Sequence, residues 1–195
     1  MVAFIGLTGG IGAGKSTALD ALERLGAAVL STDRVVHDLY EAADVRDSVI
    51  ERFGESVARH EAIDRSAVAR LVFANPQDRE WLESLLWPRV GEAMARWKES
   101  VEGAKPPPRA AVVEVPLLFE AGLEGVFDAT IAVITDEKRR RDRAEPRAHE
   151  SLQERTERQL SQAEKAQRAT YVVSNDGTTE QLEESLSAIL DMLER

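Results

Sequence analysis

Gly9-Gly10-Ile11-Gly12-Ala13-Gly14-Lys15-Ser16, followed by Thr17, constrains this chain more than any other stretch. It satisfies the spacing G-x-x-x-x-G-K-[ST]. Glycines let consecutive backbone N–H groups turn inward around phosphate oxygens, and a helix starting near Ser16 aims its positive end at the same point. Lys15 then reaches the β- and γ-phosphates of a nucleotide, and the Ser16 hydroxyl can hold Mg²⁺. The flanks supply the context such a loop requires. Val2 to Leu7 is a continuous apolar run, suited to a strand buried on both faces, and Ser16 to Leu25 has helical periodicity closed by Gly26 where a left-handed cap belongs. A glycine-rich turn with an accidental lysine would carry no such flanks.

Similar apolar runs recur at Ala27 to Leu30, Ala110 to Val115, Ala129 to Thr135 and Tyr171 to Ser174. Five strands alternating with helical patterns predict an α/β fold, a parallel five-stranded sheet flanked by helices. The interval from Arg34 to Val101 shows no strand run and reads as a helical insertion. Within it Asn75-Pro76 is an N-cap followed by proline at the first helical position, and Pro88 is expected to start or kink the next helix. Gly103-Ala104-Lys105-Pro106-Pro107-Pro108 is a linker returning to the sheet. Asp136 to Arg168 is helical and charged, with a capping box at Ser161-Gln162-Ala163-Glu164, and Thr178 to Gln181 opens an amphipathic helix through Leu182, Leu186, Ile189, Leu190 and Leu193.

Composition narrows the chemistry. With 25 Lys+Arg against 35 Asp+Glu, the net charge of -10 repels a nucleic-acid backbone. Cysteine is absent, and three scattered histidines, His37, His60 and His149, make no zinc site, so metal chemistry here rests on carboxylates and hydroxyls. The opening apolar run is too short to span a membrane and lacks signal-peptide features, which points to a cytoplasmic protein with no membrane association. Nothing indicates an obligate protein partner.

Three further clusters are candidates for chemistry. Asp33, just past the second strand, is placed at the carboxyl edge of the sheet, where open α/β folds bind ligands. It either accepts a proton from an acceptor hydroxyl or helps hold Mg²⁺, or it merely caps a helix starting at Arg34. Lys138-Arg139-Arg140-Arg141, with Arg143 and Arg147, gathers six of the 25 basic residues within ten positions. Such a run is either a solvated face or a lid over a triphosphate. Glu114-Val115-Pro116-Leu117-Leu118-Phe119-Glu120 ends a strand with two carboxylates that serve Mg²⁺, the acceptor or local amides. Trp81, Trp87 and Trp97 either pack the insertion or line an acceptor pocket.

With these residues in view the chain resembles the dephospho-CoA kinase family over nearly its whole length. The matching stretches are Gly6-Leu7-Thr8 running on through Thr17, Ser31-Thr32-Asp33, Asp64-Arg65, Phe73-Ala74-Asn75-Pro76, Val115 to Glu120, and Gln159 with Lys165 ahead of Tyr171-Val172-Val173-Ser174-Asn175-Asp176-Gly177. The resemblance implies a kinase of the phosphate-loop class in three parts. A nucleotide-binding core would take 1–33, 102–135 and 170–195, a helical acceptor domain 34–101, and a short lid 136–169. It implies transfer of the γ-phosphoryl of ATP to the ribose 3′-hydroxyl of dephospho-CoA, with Mg²⁺. Asp33, Lys15 and Arg140 would be catalytic, and Gly10 to Thr17 with Asn175 would bind the nucleotide. Thr8, Asp33 and Arg65 would meet the acceptor, and Ser16 the metal. Rival readings are another nucleoside or nucleotide kinase and a nucleotide-dependent switch or binding module.

The chain departs from the family pattern at four places. Ser31-Thr32-Asp33 stands for the usual Asp-Ala-Asp, and Trp87-Pro88 for His-Pro. Ala144 occupies a second lid arginine's position, and Ala169-Thr170 replaces an Ala-Asp pair. Lys15, Ser16 and Asp33 are all retained.

Overall fold

The computed structural model describes residues 1–59, 62–144 and 159–194. Contacts divide the chain into two compact units, Met1–Ser31 with Trp97–Arg195, and Thr32–Arg96.

The first unit is built on five parallel strands, β1 (Ala3–Gly9), β2 (Ala28–Ser31), β5 (Ala110–Glu114), β6 (Ala129–Ile134) and β7 (Tyr171–Ser174), in the order β2-β5-β1-β6-β7. Strand β1 is central because Ile5 and Leu7 are wholly buried, and Phe4 and Thr8 on its opposite face are buried too. Helices α1 (Lys15–Arg24) and α8 (Thr179–Leu193) cover one face, where Ala18, Ala21, Leu22, Leu182, Leu186 and Leu190 pack on Ile5, Leu7, Val112 and Ile131. Each fully buried leucine, isoleucine or valine side chain there contributes about 1.5–3 kcal/mol. The other face holds Leu118 and Phe127. A Cβ on Gly6 would approach them to 2.5 and 2.8 Å, so only glycine lets them reach the strand.

The helix ends follow the sequence closely. Helix α1 closes with Gly26 at φ 91, its N–H donating to Glu23 O while Ala27 N–H donates to Leu22 O. Reciprocal capping boxes, Ser161 with Glu164 and Thr178 with Gln181, open α7 (Gln162–Arg168) and α8. Helix α6 (Glu137–Ala144) carries the basic run. Although α7 falls within the span read as a lid, it packs against β6 and β1, and Lys165 in it is completely buried. The last part of that span therefore belongs to the core.

The second unit contains α2 (Thr32–Leu39), α3 (Ala43–Phe53), α4 (Arg65–Ala74) and most of α5 (Pro76–Glu102), which continues into the first unit from Trp97. Val45, Val49, Val57, Val68, Leu82 and Leu86 form its core. Trp81 joins them edge-on to Phe53 at 5.5 Å, whereas Trp87 is 53% exposed. The Asn75 side chain accepts from Gln77 N at 3.0 Å, as an N-cap should.

Two expectations are corrected here. The insertion holds a two-stranded ribbon, β3 (Ala58–Arg59) with β4 (Ala62–Ile63), whose strands are too short to show any alternation in sequence. Pro88 starts no new helix, since α5 runs through it. Its ring and Ser84 are both exposed, so the Ser84 carbonyl left without a helical partner is open to water.

Candidate active site

The phosphate loop leaves the carboxyl end of β1, between β5 and β6. The chain passes from β1 to its partners on one side and later crosses to β6 on the other, so this is the point where strand order reverses and open α/β sheets bind ligands. The Ala13 N–H donates to Gly10 O at 3.1 Å, and the Lys15 ammonium reaches the same carbonyl at 3.3 Å. The loop thus curls back on itself, with the half-buried Lys15 at its mouth. Ser16 and Thr17 are exposed in the first turn of α1, their N–H groups at its positive end.

Two glycines here are dictated by space. A Cβ on Gly9 would lie 2.5 Å from Val133 O. Gly12, at φ +80, would bring one equally close to the Arg140 carbonyl. Helix α6 therefore sits directly on the loop. Arg140 spans it, donating from Nε to Glu137 Oε2 at 2.9 Å and from Nη1 toward Ile11 O at 3.5 Å. The Glu137 carboxylate beside it holds the guanidinium even more firmly protonated than usual. Of the other basic residues in the run, Arg147 lies outside the described residues, as do the side chains of Arg141 and Arg143.

Asn175, expected at the nucleotide, is buried, and its side-chain amide donates to Ala13 O at 2.9 Å. The amide is thereby committed to holding the phosphate loop. Asp176 next to it collects Ser174 Oγ at 2.6 Å, Thr135 Oγ1 at 2.8 Å and the Asp136 N–H. These donors, led by the Ser174 hydroxyl, lower its pKa to about 2. Asp176 ties the end of β7 to the start of α6.

Thr8, expected at the acceptor, is wholly buried, and its hydroxyl donates to Pro116 O at 3.3 Å. Lys165 Nζ lies beneath it, 2.7 Å from Pro116 O, 3.3 Å from Thr8 Oγ1 and 2.9 Å from Glu120 Oε1. Burial pushes the Lys165 pKa down, and the Glu120 carboxylate counters this in part. Glu120, a candidate for Mg²⁺ or the acceptor, is spent on Lys165 and on the Leu160 N–H at 2.8 Å. Glu114 is buried at the end of β5, in register with Leu7 and Ser31. No spacing within the sequence pairs Lys165 with Glu120; the strand-end position singled out Glu120, and only the resemblance drew attention to Lys165.

The first unit thus brings together Thr8, the loop from Gly10 to Thr17, Arg140 and Asn175. Asp33 and Arg65 belong to the second unit, and both are exposed. Helix α2 already includes Thr32 and Asp33, so Asp33 is a first-turn acid instead of the cap of a helix starting at Arg34. Arg65 is the first residue of α4, whose cap is Asp64, accepting from Ser66 N and Ala67 N at 3.0 Å each.

The dephospho-CoA kinase family model matches residues 3–181, through the phosphate loop, the helical unit and the last strand. The chain belongs to the dephospho-CoA kinase family. A relative described as dephospho-CoA kinase, from Moorella thermoacetica, is 37% identical over 196 residues, which cover 98% of this chain and 92% of the relative. Among solved structures, TT1252 from Thermus thermophilus is 34% identical, with a TM-score of 0.82 over 98% of each chain. A dephospho-CoA kinase from Campylobacter jejuni, 22% identical, shares the fold at a TM-score of 0.71 over 100% of this chain and 98% of its own. For a member of this family, the short α6 lying on the phosphate loop and the Lys165–Glu120 pair below it are the features that the sequence motifs did not convey.

Proposed function

We propose that this protein transfers the γ-phosphoryl group of ATP to the ribose 3′-hydroxyl of dephospho-CoA, giving coenzyme A in the final step of its synthesis. The observation that carries this reading is the family match, which spans residues 3–181 and so takes in both the phosphate loop and the unit holding Asp33 and Arg65. The activity needs a donor site and an acceptor site. The phosphate loop, with Lys15 and the N-terminus of α1, suits the donor. The helical insertion 34–101 is read as the acceptor domain, and α6 with Arg140 as the working part of a lid.

Roles follow from charge and exposure. Lys15 neutralises the transferring phosphates, while N–H groups of the loop other than that of Ala13, which is bonded to Gly10 O, hold their oxygens. Arg140, a permanent cation already lying on the loop, stabilises the charge spread over the phosphoryl group in flight. Asp33, exposed and unencumbered by a capping role, accepts the proton of the attacking hydroxyl. Arg65, exposed at the start of α4, is the residue we assign to acceptor phosphates, and Asn175 keeps the loop in shape.

The residues present fit Mg²⁺ as an ion arriving with ATP. No group of three or more acidic or histidine side chains forms a cage among the described residues, but Ser16 offers an exposed hydroxyl oxygen, and Mg²⁺ usually takes few protein ligands beside phosphate and water. Glu114, buried at the end of β5, is the carboxylate we assign to its support. Bound Mg²⁺ supplies charge neutralisation at the phosphate oxygens. No helix among the described residues is long and apolar enough to cross a membrane.

Incubation of the pure protein with ATP, Mg²⁺ and dephospho-CoA, with products weighed by mass spectrometry, tests the reading. Dephospho-CoA should gain one phosphoryl group while ATP becomes ADP. Phosphorylation of a nucleoside, nucleotide or sugar in its place, or hydrolysis of ATP indifferent to dephospho-CoA, would overturn it.

A further inference from the structure

Arg140 is 19% exposed although it projects from a short, highly charged surface helix, and its order has an identifiable source. Glu137, one turn earlier, takes both Nε and Nη2 of the guanidinium in a two-point fork. A fork of this kind fixes the plane of the group as well as its position. Nη1 is left facing the loop, toward Ile11 O at 3.5 Å.

Glu137 is itself braced. Gln162, at the start of α7, accepts from Thr135 N at 2.9 Å and donates to Thr135 O at 3.0 Å, so its amide is clamped to the backbone just beyond β6. The same Nε2 donates to Glu137 Oε2 at 3.3 Å. The stems are packed as well. A Cβ on Gly10 would lie 3.4 Å from Gln162 Cγ and 3.9 Å from Arg140 Cδ. Many i,i+3 pairs on helices are solvated and interchangeable. This one is connected to a sheet strand on one side and to the phosphate loop on the other.

We propose that Glu137 is a positioning residue for phosphoryl transfer: braced by Gln162, it holds the Arg140 guanidinium at the phosphate loop with the Nη1 edge turned toward the loop. The proposal rests on the reading of Arg140 as the lid arginine of a kinase. Its physical content is that the arginine is ordered before the nucleotide arrives, so that binding energy is not consumed in arresting a flexible side chain at the moment of transfer. Glu137 touches no reacting atom. Its contribution appears in kcat through Arg140.

The experiment is a double-mutant cycle in the intact chain, with ATP, Mg²⁺ and dephospho-CoA as reactants, using Glu137→Ala, Arg140→Ala and the pair. Arg140→Ala should lower kcat by about a hundredfold or more. Glu137→Ala should lower it by about tenfold, with the KM for ATP changed less than about threefold, because misplacing a catalytic group costs rate before it costs binding. In the Arg140→Ala background, Glu137→Ala should cost less than about twofold further, since its partner is gone. Glu137 is 53% exposed, so the melting temperature should stay put. If Glu137→Ala folds poorly, Glu137→Gln, which keeps the size and loses the charge, carries the same comparison. A crippled Arg140→Ala beside a Glu137 variant of normal kcat overturns the proposal alone, and so do independent, multiplicative losses. An Arg140→Ala enzyme of normal kcat overturns the reading beneath it and the proposal with it.

Discussion

Replacing Lys165 with methionine tests whether the floor of the phosphate loop is an ion pair or merely a packed corner. The side chain is completely buried, and its partner Glu120 is 13% exposed. Methionine is unbranched, apolar and of similar length, so it fills the same space and leaves no large cavity. What disappears is the charge, together with the donors to Pro116 O and Thr8 Oγ1. Removing one member of a buried pair costs about 3–5 kcal/mol, because the other charge is left uncompensated. Glu120 keeps the Leu160 N–H, and Pro116 O keeps the Thr8 hydroxyl, so the lower end applies, about 3 kcal/mol. For a chain of this size that lowers Tm by roughly 6–12 °C. The assay is urea and thermal unfolding followed by circular dichroism, on Lys165→Met, Glu120→Leu and the double variant. Replacing both partners by apolar groups removes the stranded charge, so the double variant should be at least about 1 kcal/mol more stable than the two single losses sum to. A Lys165→Met protein within about 1 kcal/mol of the parent, or strictly additive losses, would refute the reasoning.

Lys15→Ala should lower turnover by about a hundredfold or more with an unchanged melting temperature, as expected for a phosphate clamp half open to solvent; near-normal turnover would unseat the phosphate-loop assignment. Asp33→Asn keeps size and polarity but removes the base, so kcat should fall by roughly a hundredfold or more with Tm and ATP binding preserved. An active, stable variant would leave the acceptor chemistry without its base. Asp176 has a folded pKa of about 2 against an ordinary 3.8, so its stabilising contribution is present above about pH 4 and disappears as pH falls through 2. The stability gap between the parent and Asp176→Asn should therefore close between pH 5 and pH 2 in acid titrations of Tm, and a gap independent of pH would contradict the assignment.

How much was visible beforehand depended on the range over which each determinant acts. The phosphate loop is encoded within eight adjacent residues, and its glycines are required by its own backbone path and by close neighbours. It could be read without knowing the fold. The five strands were equally plain, because a strand covered on both faces must be apolar throughout. The caps at Gly26, Ser161 and Thr178 are likewise local chemistry. Sequence also carried the family motifs, including Asp33, whose role no spacing within the chain distinguished from a cap.

Tertiary structure alone decided which distant groups meet. Strand β5 enters between β1 and β2, while β6 crosses to the far side, and this order opens the site at the end of β1. Asn175 reaches Ala13 across 162 positions and Lys165 reaches Glu120 across 45, so neither pairing leaves a mark in any local pattern. Lys165 looks like an ordinary charge on a polar helix until the fold buries it, and Thr8 looks available to a substrate until Pro116 and Lys165 enclose it. Pro88 could remain inside a helix because its place on the exposed surface gave water access to the carbonyl it left unpaired. In each case the sequence supplied a group able to make the contact. Packing around the sheet determined whether that group met solvent, a ligand or another buried charge.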